Sequence, residues 1–244
     1  MDSAPEVIPG WYGKVPFFGD FASRRLPQQF ISAWDSWLQN SMTASRGELG
    51  PNWLDIYLLS PVWRFVLLPD VIDQNLWTGL IMPSVDKVGR HFPLTIALSL
   101  KPHPGTLVAV IAAQNWFATL EEASLATLNT EFSVQQLDSM LAATPFPNDA
   151  APRLDSRTCE FADWWQNPSV PFHLALSTLD SLPHAVSTTA TRLLESSGRG
   201  KSLWWCKEES SGSARLSCFK GFPAPEFYAT LLQGHRILSH AATC

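Results

Sequence analysis

The sequence predicts an α+β fold, a mostly antiparallel central sheet with helices packed on it as an α/β sandwich. Three observations carry that expectation. Apolar runs at Val62–Leu68, Leu76–Met82 and Leu94–Leu100 have strand length, and their connections are too short for parallel crossovers. Phe30, Ile31, Trp34, Trp37, Leu38 and Met42 recur at three- and four-residue spacings, which marks one buried helix face. Leu203–Lys207 and Leu216–Lys220 flank Ser210-Ser211-Gly212-Ser213 and read as a hairpin.

Taken in order, residues 1–9 are expected to be a disordered lead, and 10–244 a single domain with a possible subdivision near 144–172. Gly10 to Val15 suits a short first strand, and Pro16 to Phe21 a turn. Asp20 stands four residues before Arg24. If that segment is helical they form an ordinary pair of about 0.3–0.5 kcal/mol; otherwise both can face a partner. Pro27 fits the first turn of a helix reaching about Gly47, and Gly50-Pro51 stops it. Trp53–Leu59 makes a second, short helix closed by Ser60-Pro61. Within Val62–Leu68, Arg64 alternates away from Trp63 and Phe65. It is therefore either solvated or buried with an acid, Asp86 or Asp35 being the candidates.

After a break at Pro102 to Gly105, Thr106 to about Asn129 reads as one long helix or two abutting ones. Ser133 suits the N-cap of a helix over Val134–Ala143. Prolines 145, 147, 152, 168 and 171 make 144–172 a loop, with Trp164-Trp165 expected to plug the core edge. Leu174–Leu179 suits a short strand and His184 to Ser196 a helix. A last helix runs over Pro225–Leu232 and stops at Gly234.

The stretch between two of the strands is richer than a plain reversal needs. Pro83-Ser84-Val85-Asp86-Lys87-Val88-Gly89-Arg90-His91-Phe92-Pro93 has a proline at each end, which fixes φ and removes a ladder donor. Gly89 permits a sharp turn just before Arg90. The expectation is a rigid loop that holds Asp86 and Arg90 at a sheet edge. There they either serve recognition or pair with each other.

Composition narrows the function. Only 16% of the 244 residues are charged while 45% are hydrophobic, with 11 Trp and 14 Phe. Large aromatics stabilise cores and are enriched where proteins meet, so this balance suits a binding protein. A net charge of −5 and a lone basic pair, Arg24-Arg25, argue against nucleic acid. Cys159, Cys206, Cys218 and Cys244 lack metal-ligand spacing and read as free thiols of a reducing cytoplasm. The acidic start has no apolar signal region, and Leu107 to Ala113 is too short for a membrane span, so no membrane insertion is expected.

No phosphate loop, nucleophile elbow or metalloprotease motif occurs, and no cofactor is expected. Ser84, Asp86 and His91 all lie on one short turn, whereas a catalytic triad needs its members brought together with an oxyanion hole, which disfavours that reading. A carboxylate pair, Asp20 with Asp86, leaves a hydrolase as the alternative reading. Asp20, Asp86, Arg64 and Arg90 otherwise make a buried carboxylate–guanidinium set suited to recognition or structure more than to chemistry.

Several blocks together resemble one family. They are Gly10-Trp11-Tyr12-Gly13-Lys14, Gly19-Asp20-Phe21, Arg24-Arg25-Leu26-Pro27, Trp34-Asp35-Ser36-Trp37-Leu38 and Trp53-Leu54-Asp55-Ile56-Tyr57-Leu58. Ser60-Pro61-Val62-Trp63-Arg64-Phe65 and Met82 to Leu94 continue the match, and Ser202-Leu203-Trp204-Trp205 and Gly221-Phe222-Pro223 close it. The chain is similar to the TagF family, accessory proteins of bacterial type VI secretion, densely over 10–100 and sparsely over 101–200. Phe222 stands where a Leu is expected.

The resemblance implies a non-enzymatic cytoplasmic protein that represses secretion after translation by binding a forkhead-associated, phosphothreonine-reading scaffold. A PP2C-like phosphatase, fused in some relatives, would here be a separate partner. The resemblance supplies no catalytic residues. The candidate partner contacts are Asp20, Arg24, Arg64, Ser84, Asp86 and Arg90.

Overall fold

Strands that alternate apolar side chains to both faces need a helical layer on each side, and the chain supplies both. The computed structural model describes residues 7–16, 20–129, 131–147, 156–166, 182–207 and 213–234. The strands are β1 (Gly10–Gly13), β2 (Ala22–Arg24), β3 (Trp63–Leu67), β4 (Leu76–Met82), β5 (Leu94–Leu100), β6 (Lys201–Lys207) and β7 (Ala214–Lys220). They form one sheet in the order β2-β1-β5-β4-β3-β6-β7, with every pairing antiparallel. The α+β expectation therefore holds.

On one face lie α1 (Gln28–Leu49), α2 (Trp53–Leu58) and, after a 3-10 turn, α8 (Tyr228–Gln233). Trp63, Phe65, Leu67, Trp77, Ile81 and Trp204 point to this side. Trp34 is its centre: its ring lies 4.7 Å from Phe65, 4.9 Å from Trp37 and 5.9 Å from Trp204, and its Nε1 donates to Thr95 Oγ1 at 2.8 Å. Gly79 admits close backbone packing here, since a Cβ would fall 1.9 Å from the Ile96 carbonyl oxygen.

The opposite face is covered by α3 (Thr106–Ala112), α4 (Gln114–Ala126) and α5 (Val134–Ala142). Leu76, Leu80, Leu94, Ile96, Leu98, Phe117 and Leu120 form that core. Two abutting helices thus fill the Thr106–Asn129 stretch. Ser133 caps α5 in a reciprocal capping box with Gln136. Trp204 and Trp205 divide as alternation requires: Trp204 is fully buried on the α1 side, and Trp205 meets Phe117 edge-on at 5.1 Å.

Three expectations are corrected. Residues 20–24 are not helical, because Arg24 lies in β2 and pairs across to Trp11. The segment 144–172 is not wholly loop: α6 (Ser156–Gln166) occupies an interval that contains none of the five prolines. Trp165 on α6 is 61% exposed and does not plug the core. A further helix, α7 (Leu182–Ser197), packs on α6. Residues 1–6 of the expected 1–9 lead, Gly19, the strand at 174–179 and the hairpin tip at 208–212 lie outside the described residues, while Val7 packs against the core and its carbonyl accepts from Phe146 N. Among the described residues, no helix is long and apolar enough to cross a membrane.

Candidate partner-contact site

The Pro83–Pro93 loop prolongs the β4–β5 hairpin through a bridge between Val85 and His91. Phe92 N donates to the Ser84 carbonyl at 3.1 Å, and Asp86 N to the Arg90 carbonyl at 3.0 Å. Gly89 turns the tip with a φ of 83°, where an L side chain would be strained. Asp86 folds back under this turn. Its Oδ1 accepts from Val88 N at 3.0 Å and Arg90 N at 2.8 Å. Its Oδ2 accepts from Arg90 Nε at 2.6 Å and Lys14 Nζ at 2.7 Å.

The Asp86 side chain is fully buried, and Lys14 is almost as deep. Burial by itself would raise the Asp86 carboxyl, but the hydrogen bonds from Lys14, Arg90 and Val88 outweigh it and hold it well below the usual carboxylate range. Ser84 completes the clasp: its Oγ donates to the Lys14 carbonyl at 2.7 Å. Its backbone exchanges two bonds with the Tyr57 hydroxyl, which donates to Ser84 O at 2.8 Å and accepts from Ser84 N at 2.9 Å. Desolvation pushes the Tyr57 phenol far up, so it stays protonated and can donate.

These contacts give a signed pH dependence. A carboxylate held low in the fold adds stability that is present above its unfolded value of about 3.9 and is lost as pH falls through the depressed folded value. His91 adds an earlier loss: burial, then Arg46, lowers its imidazole below 6.5, so protonation opposes folding as pH drops through the unfolded value. Urea midpoints are expected to decline from pH 7 and then more steeply below pH of about 4, and Asp86→Asn should shrink the second decline, leaving the share of Asp70, which Arg199 also holds low.

The six candidate residues separate by burial. Ser84 and Asp86 meet in the clasp, and Arg90 covers it with its side chain 54% exposed. Arg64 lies elsewhere, on the α4 side of β3. There Nε reaches Glu121 at 2.6 Å, Nη1 reaches Gln114 at 2.6 Å, and the guanidinium sits over Phe117 at 5.1 Å. It is thus buried with an acid, but neither Asp86 nor Asp35. The structure overturns both expected partners because the fold sends Arg64 to the opposite face.

Arg24 pairs with Asp138 of α5 at 2.6 Å rather than with Asp20. The same carboxylate takes Trp11 Nε1 and Arg25 Nη2, each at 3.0 Å. Asp20 is exposed and its Oδ1 accepts from Phe21 N. Arg64, Ser84 and Asp86 are thereby placed to position other groups, while Asp20, Arg24 and Arg90 reach solvent.

Sequence reasoning missed Lys14, Tyr57, Glu121 and Asp138. Lys14 left one usable signal, a lone cation just after Gly13 in a short apolar strand. Around the clasp, Phe21 is 42% exposed and Val88 68%. Phe21 packs edge-on to Phe92 at 4.7 Å, with Lys14 Nζ 4.9 Å from its ring centre. Phe21, Val88 and Arg90 form an apolar and cationic rim over one buried carboxylate. Among the described residues, no group of His, Cys, Asp and Glu is arranged to hold a metal ion.

A seven-stranded antiparallel sheet with helices on both faces and a clasped, buried-carboxylate loop between two of its strands defines an α+β protein. The family can be stated outright: the chain belongs to the TagF N-terminal domain family, which is type VI secretion system-associated, and the family model matches residues 10–144. Its structure is also similar to the crystal structure of PA0076 from Pseudomonas aeruginosa PAO1. That likeness has 33% identity and a TM-score of 0.72, over 93% of this chain and 94% of that one. Comparison with curated proteins finds no match.

Proposed function

We propose that this protein is a non-catalytic cytoplasmic repressor of type VI secretion that acts after translation by binding a forkhead-associated scaffold protein. Its place in a type VI secretion-associated family is the observation that carries this reading. The clasp supports a recognition role: Asp86 fixes the loop and Arg90 presents its guanidinium from a stiff frame. Ordering a long side chain at an interface costs about 0.5–1.5 kcal/mol, and a fixed loop reduces that cost.

The same clasp disfavours the hydrolase alternative. A carboxylate with four donors and a depressed pKa is a poor general acid or base beside Asp20. Co-purification from native cells is expected to recover the scaffold, and a separate PP2C-like phosphatase would belong to the same pathway. Recovery of no secretion component would overturn the proposal. Turnover of a generic ester panel that vanishes in Asp20→Asn, with folding intact, would instead favour the enzyme.

Arg90→Ala is expected to weaken scaffold binding by about 2 kcal/mol or more. Its effect on stability should stay within about 1 kcal/mol, because Asp86 keeps Lys14 and two backbone donors while the lost pair is half exposed. Titration of the purified scaffold beside a melting curve checks both. A large fall in melting temperature would make Arg90 a structural strut.

A further inference from the structure

We propose that a cavity between α7 and the end of the sheet far from the clasp binds a small molecule with an apolar body and one acidic group. The cavity holds about 340 Å³, within the roughly 300–1,000 Å³ of small-molecule sites. Its floor is made by Leu68 just after β3, Leu76 at the start of β4 and Leu107 of α3, all three buried. Pro102 and Pro104 wall one side, and Arg192 and Arg199 the other. The clasped loop leaves β4 at its opposite end, after Met82, so the length of that strand, roughly 20 Å, separates the two sites.

The frame around the cavity is stiff. Thr106 Oγ1 accepts from His103 N at 2.9 Å, and Thr106 N donates to the His103 carbonyl at 3.0 Å, which fixes the turn that carries both prolines. Glu195 of α7 accepts from Gly105 N and from Leu107 N, each at 2.9 Å, and ties the helix to that turn. Gly198 lets the chain close on the floor, since a Cβ there would fall 2.4 Å from Leu68 Cδ1. A site held open in this way needs little reorganisation on binding.

Charge selects the head group. Glu195 is engaged by the two backbone N–H groups, and Arg199 by Asp70, through Nε at 2.7 Å and Nη2 at 2.9 Å. Arg192 is held more loosely. It meets Asp163 of α6 at 3.9 Å, outside hydrogen-bond range, and that carboxylate side chain is 74% exposed. The Arg192 side chain is 22% exposed, so its guanidinium is largely withdrawn from water beside an apolar floor. A carboxylate entering here would gain charge-assisted bonds from Arg192 and leucine contacts for its chain, whereas an amine would meet two guanidinium groups.

The probe is octanoate, with octanol and octylamine as controls of equal chain length, titrated into the whole chain by calorimetry. Octanoate is expected to bind at least about tenfold tighter than either control, to raise the melting temperature, and to slow amide exchange at 105–107 and 192–199. Arg192→Gln should abolish the preference over octanol while the melting temperature of the free protein stays unchanged, because its ion pair is exposed. Ser196→Trp, on the rim, should weaken octanoate by about tenfold by filling the entrance. Equal affinity for octanoate and octanol, a preference retained in Arg192→Gln, or protection confined to other segments would overturn the proposal. So would octanoate that neither binds nor raises the melting temperature. The probe contains no secretion component, so this result and the scaffold co-purification succeed or fail separately.

Discussion

Asp86→Ala is expected to destabilise the fold by about 3–5 kcal/mol, because it removes one half of a buried ion pair and leaves the Lys14 ammonium without its carboxylate. The loss is compounded locally. Val88 N and Arg90 N lose their acceptor, so the turn that sets the Arg90 pose loosens with the pair. The single variant is therefore expected to lose both melting temperature and scaffold affinity. A double variant, Lys14→Met with Asp86→Ala, separates the effects. Removing both charges should recover part of the stability while the loop stays loose and binding stays weak. Chemical denaturation of both variants reads this directly. A single variant within about 1 kcal/mol of the parent would mean that the clasp is dispensable.

Trp34→Ala should cost about 3–5 kcal/mol for an equally local reason. Its indole is fully buried between α1 and the sheet, in ring contact with Phe30, Trp37, Phe65, Trp204 and Phe222. Truncation opens a cavity walled by rigid aromatics that cannot collapse far, and strands the buried Thr95 hydroxyl. Trp205→Ala is the internal control. It is half-buried under α4, so its loss should be clearly smaller in the same urea titration. Equal losses would mean that the α4 side of β6 is covered as deeply as the aromatic core around Trp34.

The contrast between these sites shows what the sequence determined alone. Periodicity placed α1 by its Phe30–Met42 stripe, and apolar run length placed β4 and β5 to the residue, because each pattern is set by local geometry that survives any arrangement of neighbours. The two prolines and Gly89 likewise announced a stiff turn, since they act on the backbone at their own positions. The helix α6 escaped because prolines around it outweighed the proline-free interval within it.

Partner choice was not legible. Alternation gave Arg64 its face but left solvent and a buried acid both open, and the acid it takes, Glu121, stands 57 residues away on a helix whose docking only the assembled sandwich fixes. Arg24 had a plausible acid four residues before it, but β2 is extended there, so the pair gave way to Asp138 across the sheet edge. Lys14 and Asp86 lie 72 residues apart and meet because β1 docks beside β5. Side-chain type and local spacing fix what a residue can bind. Which partner it takes depends on long-range burial, where an unpaired charge costs several kcal/mol and the tertiary structure must bring its counter-ion.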